Sequence, residues 1–176
     1  GTLIVGGNSP ADRNLIGGVT FGPAVRVQST VQSDPGHCQV INNLIGLMPD
    51  GVTPLANLSG INLGGNGCAV LRNRIAANHS DGIDVYGNNN LVQRNIIGSG
   101  IDDGGYANNG IGINVEGYTN VIGADAASNL PVALLGNVVR HMGVGGIAVR
   151  DTGTGNSVRT NLVSANAALA EARQVA

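Results

Sequence analysis

Apolar residues in this chain recur at two-residue steps for a few positions and then stop, interrupted by glycine and asparagine. Residues 82 to 97 show this most plainly. Ile83 and Val85, then Val92, then Ile97 are separated by Gly82, Gly87 and the run Asn88, Asn89, Asn90. A period of two belongs to a half-buried strand, and no helical period fits. Gly and Asn accept tight or left-handed backbone at low cost, so the stretch predicts three brief strands joined by two corners.

The stretch repeats along the chain. Gly60-Ile61-Asn62-Leu63 reaches Val70 ten residues on, as Gly82 reaches Val92 and Gly112-Ile113-Asn114-Val115 reaches Ile122. Gly146-Ile147-Ala148-Val149 reaches Val158 after twelve. A third-strand signature, Asn-x-Ile or Asn-x-Val, recurs at Asn14/Ile16, Asn43/Ile45, Asn73/Ile75, Asn95/Ile97, Asn137/Val139 and Asn161/Val163. The unit takes about 22 to 42 residues, the variation falling in loops. That self-similarity predicts a solenoid, and three corners per turn make it an all-β parallel β-helix of about five coils. Val25, Ile61, Ile83, Ile113 and Ile147 should form one inward column, and Ile16, Ile45, Ile75, Ile97, Val139 and Val163 another. Pro23 to Val27 is the first strand of the first-strand type, and residues 2 to 7 read as a second strand whose partner in the coil is missing. The chain is therefore expected to be a piece of a longer protein or a processed form of one.

One corner position holds Cys38, Cys68, Asn90, Asn120 and Asn156. It predicts an inward asparagine ladder, bonded amide to amide, in which cysteine replaces asparagine on two adjacent coils. Those Cα atoms would lie about 4.8 Å apart, within disulfide range. Two stacked free thiols are the alternative in a reducing compartment.

These units resemble the right-handed parallel β-helix repeat family, pectate-lyase-like in architecture. Within it they are similar to bacterial secreted or surface proteins built from Asn-x-Ile-Gly-Gly, Gly-Asn-x-Ile and Gly-Ile-x-Ile repeats. The matching residues are Arg13-Asn14-Leu15-Ile16-Gly17-Gly18, Asn43-Leu44-Ile45-Gly46, Asn95-Ile96-Ile97-Gly98, Asn120-Val121-Ile122-Gly123 and the Gly-Ile motifs above. The resemblance covers nearly the whole chain and implies a right-handed helix in an extracellular or cell-surface setting. It leaves activity open, because the scaffold hosts lyases, hydrolases, epimerases, adhesins and spacers.

Composition narrows the partners. Among 176 residues only 11% are charged, while Gly reaches 29 and Asn 22, which is corner chemistry. A net charge of −2, with one Phe, three Tyr and no Trp, argues against a nucleic-acid surface. No apolar run is long enough to span a membrane as a helix. The repeat occupies residues 1–164. Residues 165–176 turn Ala-rich and read as a C-terminal cap or tail, with Asn166 placed to cap a short helix.

Candidate chemistry sits on the outward side of the first strands. One outward column is Arg26, Asn62, Asp84, Asn114 and Ala148, and the next is Gln28, Gly64, Tyr86, Glu116 and Arg150. In the enzymes that the repeats resemble, this face and the corner before it form the substrate groove. Asp84 and Glu116, with Arg150 and Tyr86, are the candidates for carboxylate-based glycoside chemistry. A plain polar stack with a Glu116–Arg150 ion pair is the competing reading. The chain lacks the Gly-His-Gly string of polygalacturonases and the Asp-rich calcium cluster of pectate lyases. Asp81, Asp84, Asp102 and Asp103 are the only calcium candidates, and no cofactor is otherwise implied. His37, His79 and His141 share no spacing and read as solvated.

Two loops of equal length, from Ile45 to Ile61 and from Ile97 to Ile113, leave one corner on alternate coils. They are expected to stand as walls beside the first-strand face, which adds Asp102, Asp103 and Tyr106 to the binding candidates. A third excursion runs from Ala124 to Leu134. A further outward column, Leu15, Leu44, Arg74, Ile96, Val138 and Leu162, is almost wholly apolar and calls for a covering loop or a homo-oligomer partner. Arg13, Arg72 and Arg94 each precede a third-strand Asn, the latter two stacked on neighbouring coils, where like charges need solvent or a shared anion. Together these features favour a secreted or cell-surface scaffold or binding module that contacts carbohydrate. The alternative is a polysaccharide lyase, hydrolase or epimerase using the first-strand face.

Overall fold

Seventeen short strands fall into three parallel sheets among the residues that the computed structural model describes, 2–28, 38–124, 135–150 and 154–167. The first-strand sheet stacks β3 (Pro23–Val27), β6 (Ser59–Leu63), β9 (Ile83–Val85), β12 (Ile111–Val115) and β15 (Gly145–Val149). The second-strand sheet stacks β1 (Leu3–Gly6), β4 (Cys38–Ile41), β7 (Ala69–Leu71), β10 (Leu91–Gln93), β13 (Val121–Gly123) and β16 (Ser157–Arg159). The third stacks β2 (Leu15–Ile16), β5 (Leu44–Ile45), β8 (Arg74–Ile75), β11 (Ile96–Ile97), β14 (Val138–Arg140) and β17 (Leu162–Ser164). Each strand hydrogen-bonds to its counterpart one coil away, so the chain is a parallel β-helix of about five coils.

The register follows the repeat. Val25 pairs with Ile61, Ile61 with Ile83, Ile83 with Ile113 and Ile113 with Ile147. Ile16, Ile45, Ile75, Ile97, Val139 and Val163 pair in the same successive manner. β-Branched side chains suit this pleated, stacked surface. Ile45, Ile61, Ile75, Ile83, Ile97 and Ile113 are fully buried, each contributing roughly 1.5–3 kcal/mol by burial.

Asparagine closes the corners. At the turn from second to third strand, Asn14, Asn43, Asn73, Asn95, Asn137 and Asn161 form an unbroken ladder. Each Nδ2 donates to the next Oδ1, at 3.0, 2.9, 3.0, 2.9 and 2.8 Å. The residue before the asparagine takes left-handed backbone at Asn42, Arg72, Arg94 and Thr160. At the turn from third to first strand a second ladder runs through Asn57, Asn78 and Asn108 at 2.9 and 2.7 Å. Met142 then replaces asparagine, its sulfur 3.9 Å from Asn108 Nδ2, and its backbone N–H donates to Asn166 Oδ1 at 2.9 Å. Asn166 thus continues this corner; the short helix expected after it falls on residues 168–176, which lie outside the described region.

The third corner carries the cysteines. Cys38 and Cys68 are joined by a disulfide with Cα atoms 4.7 Å apart. Beyond them the ladder differs from the expected amide-to-amide form. The backbone N–H groups of Cys68, Asn90 and Asn120 donate to Oδ1 of Asn90, Asn120 and Asn156 at 2.8, 2.8 and 2.7 Å. The Nδ2 groups of Asn120 and Asn156 turn instead to the Gly87 and Gly117 carbonyls at 3.0 and 2.8 Å. Asn90 Nδ2, next to the disulfide, is buried without a partner.

The two long loops depart from the expected walls. They fold back across the outer face of the third-strand sheet, away from the first-strand face. Leu44, an outward residue of β5, is buried with Leu47 and Ala76, and Tyr106 packs on that cluster. Arg74 Nη1 donates to the Ser99 carbonyl at 3.1 Å and also to the Gly100 carbonyl. The loops touch each other where the Ile101 N–H donates to the Gly51 carbonyl at 3.0 Å. The reason is apolar: Leu44 and Leu47 are removed from water only if the loop lies over them. The ends of that outward column, Leu15 and Leu162, stay about half exposed, at 49% each. The excursion from Ala124 to Leu134 lies outside the described residues beyond Ala124.

Candidate functional site

The outward columns of the first-strand sheet assemble as read. Arg26 pairs with Asn62, Asn62 with Asp84, Asp84 with Asn114 and Asn114 with Ala148. In the neighbouring column, the N–H groups of Gly64, Tyr86, Glu116 and Arg150 donate to Val27, Leu63, Val85 and Val115, each one coil back.

Asn114 is the centre of this face. Its Nδ2 lies 3.2 Å from both Asp84 Oδ1 and Glu116 Oε1, and its Oδ1 accepts from Arg150 Nε at 2.8 Å. The amide therefore bridges both acids to Arg150. Although the column faces outward, Asp84 is 7% and Asn114 4% exposed. Arg26 and Arg150 are exposed, Asn62 and Glu116 half-buried, and the Tyr86 ring is 46% exposed beside them.

Asp81 completes the group. Its Oδ1 accepts from the Ile111 N–H at 2.6 Å, and it shares a side-chain hydrogen bond with Asp84. Gly110 makes room for it, since a Cβ there would come within 2.0 Å of Asp81 Oδ1. Burial first, then the Asp81 carboxyl, pushes the Asp84 carboxyl up to about 7, with Glu116 adding to the rise and the Asn114 N–H opposing it. Burial likewise raises the Tyr86 phenol, with Asp84 adding to it and Arg150 opposing. A carboxyl that is half protonated at neutral pH can donate a hydrogen bond, or a proton, to a sugar oxygen.

Other candidates lie elsewhere. Tyr106 Oη donates to Asp102 Oδ2 at 3.1 Å within the second long loop, and Asp102 and Asp103 act on Arg74 across the third-strand face. The loop carries all three away from Asp84 because it packs on Leu44. The four calcium candidates are thereby split between two faces, and among the described residues no three His, Cys, Asp or Glu side chains are grouped to hold a metal. His79 is exposed, His141 is half-buried on the corner at φ 56°, and His37 lies outside the described residues.

Asp81 entered the sequence reading only as a calcium ligand. Its signal as a partner of Asp84 was the three-residue spacing across the corner, one residue before the Gly-Ile motif. No family model, curated protein or solved structure matches this chain. The Cys38–Cys68 bond fits an oxidising compartment. Among the described residues no helix is long and apolar enough to cross a membrane.

Proposed function

We propose that this chain is an extracellular or cell-surface β-helix scaffold that binds a saccharide on the outward face of its first-strand sheet. The observation that carries the reading is the Asn114-centred group, in which two acids, an amide and Arg150 converge beside the exposed Tyr86 ring. An exposed ring offers a stacking surface to a sugar face, and clustered acceptors and donors suit its hydroxyls. The stacked coils hold these groups on fixed backbone, which lowers the ordering cost of binding. The repeat-family resemblance and the disulfide support the extracellular setting.

The test is a glycan array followed by titration of the hits. Tyr86→Ala and Arg150→Ala should each weaken binding roughly ten-fold, about 1.4 kcal/mol. Absence of any glycan ligand for the parent, or binding by both variants as tight as that of the parent, would refute the reading.

The Asp84 carboxyl held at about 7 favours a second reading, a polysaccharide-active enzyme with Asp84 as general acid and Glu116 as the second carboxylate. A lyase and hydrolase screen on the array hits separates the two. Turnover that Asp84→Asn abolishes while glycan binding persists supports the enzyme; binding without turnover supports the scaffold.

A further inference from the structure

The third-strand side carries a groove of 270 Å³ lined by Arg13, Arg72, Arg74 and Arg94. Four of the nine cations of a chain with net charge −2 therefore gather in one place. The asparagine ladder fixes their order. Arg13, Arg72 and Arg94 precede Asn14, Asn73 and Asn95, and Asn42 occupies the coil between the first two. At about 4.8 Å per coil the row spans roughly 14 Å along the axis. Arg74 lies beside the row on the outward face of β8, next to Ile96 and under the loop that carries Ile101.

Two features set this row apart from incidental surface charge. Arg72 and Arg94 sit at left-handed corner positions, with φ 57° and 59°, where glycine or asparagine would be the less costly residue. The hydrogen-bond partners of three of the arginines are neutral. Arg13 donates to the Asn42 carbonyl at 3.3 Å and to Asn42 Oδ1 at 2.9 Å, Arg72 donates to Asn8 Oδ1, and Arg74 donates to the Ser99 and Gly100 carbonyls. Such partners orient a guanidinium without cancelling its charge. Burial lowers the Arg74 guanidinium from its ordinary value; Asp103 opposes this, and Arg13 is near enough to add to it by repulsion. Arg13 and Arg74 repel each other, Asp103 and Asp102 offset part of the charge on Arg74, and an anion between the guanidiniums relieves the repulsion that remains.

We propose that this groove binds an acidic polysaccharide, a linear polyanion whose sulfate or carboxylate groups meet the arginine row in succession. A nucleic acid fits less well. Among the described residues no aromatic side chain lines the groove to stack a base. Ile96 and Ile101 instead offer apolar contact to the C–H faces of a sugar ring. The site is separate from the Asp84 face and does not depend on it.

The experiment titrates the whole chain at low ionic strength with dextran sulfate, polygalacturonate, uncharged dextran and duplex DNA. Either charged polysaccharide should bind, weakening as salt is added, while dextran does not. Arg72→Gln with Arg94→Gln should lower the affinity roughly ten-fold or more, as expected for two charge-assisted contacts. Arg159→Gln, on an exposed strand of the second-strand sheet, should leave it within about two-fold, since the one positive charge it removes lies outside the groove. Ile101→Glu is the second variant. It puts a carboxylate at the lip of the groove on a side chain 58% exposed, so folding is not at stake, and it should weaken binding as well. No binding of either charged polysaccharide, unchanged affinity in both groove variants, or tighter binding of DNA than of the polysaccharides would each overturn the proposal.

Discussion

The inner corners and the outer first-strand face use the same residues at the same spacing and reach opposite results. In the ladder from Asn14 to Asn161 each amide nitrogen has the next Oδ1. Those of Asn73, Asn95 and Asn137 also reach a second-strand carbonyl, at 2.8, 2.9 and 2.8 Å. Each Oδ1 from Asn73 onward accepts both the amide and the backbone N–H of the coil before, as Asn95 does from Asn73. Donors and acceptors balance, so the stack is a structural element. On the outer face, Asn62, Asp84 and Asn114 also stack coil upon coil, yet around Asn114 the side chains among the described residues offer more acceptors than donors. One Asn114 nitrogen serves two acids, and Asp84 retains its proton to about 7. A polar column is therefore read by its balance of donors, not by its residue types. Where the balance fails, chemistry or ligand has something to supply.

The largest test falls at the corner where the ladder is replaced by a covalent bond. Removing the disulfide that closes a thirty-residue separation, with Cys38→Ala and Cys68→Ala, should cost about 3–4 kcal/mol by the chain-entropy argument. Replacing both by asparagine should recover part of that loss, because an amide there can accept from the backbone one coil back, as Asn90 does from Cys68. Urea unfolding without reductant measures both. If the asparagine pair is no more stable than the alanine pair, the equivalence of cysteine and asparagine at this corner is lost. Thiol titration of the denatured parent should find no free thiols.

Much of this contrast was legible in the sequence. The columns, the strand register and the cysteine pairing follow from period and spacing, because each coil can stack in only one register without turning its Ile and Val residues outward. The second ladder was equally open to reading: Asn78, Asn108 and Met142 each lie five residues before a first-strand Ile, and Asn57 four before. What spacing could not carry was the path of the loops. Residues 46–58 and 98–110 could leave their corner toward either sheet, and the choice depended on Leu44 and Leu47 finding cover, a tertiary preference without period. For the same reason the arginine column was visible, but the groove that Ile101 closes over it was not. Asp84 was named as a candidate, whereas its burial and its bond to Asp81 depend on a corner conformation that Gly110 permits.

A smaller effect separates a ladder residue from a column residue. Asn95→Ala removes the acceptor of the Asn73 backbone N–H and Nδ2, at 2.9 and 3.0 Å, and the donor to the Val70 carbonyl. All are buried, so the loss should be about 2–4 kcal/mol. Asn62→Ala, at a half-buried outward position, should cost under about 1 kcal/mol. Equal losses in denaturant unfolding would mean that the outer column is as structural as the inner one.

The smallest effect probes the excess of acceptors itself. The unfolded chain releases the Asp84 proton near its ordinary value of 3.8, whereas the folded protein keeps it to about 7. Between these values the folded state holds more protons, so this contribution to stability is full below about 4 and falls as pH rises through 7. Asp81 and Glu116 face the same group and raise the Asp84 carboxyl beyond the effect of burial, while the Asn114 N–H opposes them. Asp84→Asn removes the charge, keeps the shape, and gives the face an added donor toward Asp81. Its stability should vary less between pH 4 and 8 than that of the parent. At pH 8 it should exceed the parent by on the order of 1 kcal/mol, since solvent screens part of the formal penalty. Unfolding midpoints taken across that range decide it. If parent and variant show the same slope, Asp84 ionises as an ordinary surface acid, and the outer column differs from the inner ladder in position alone.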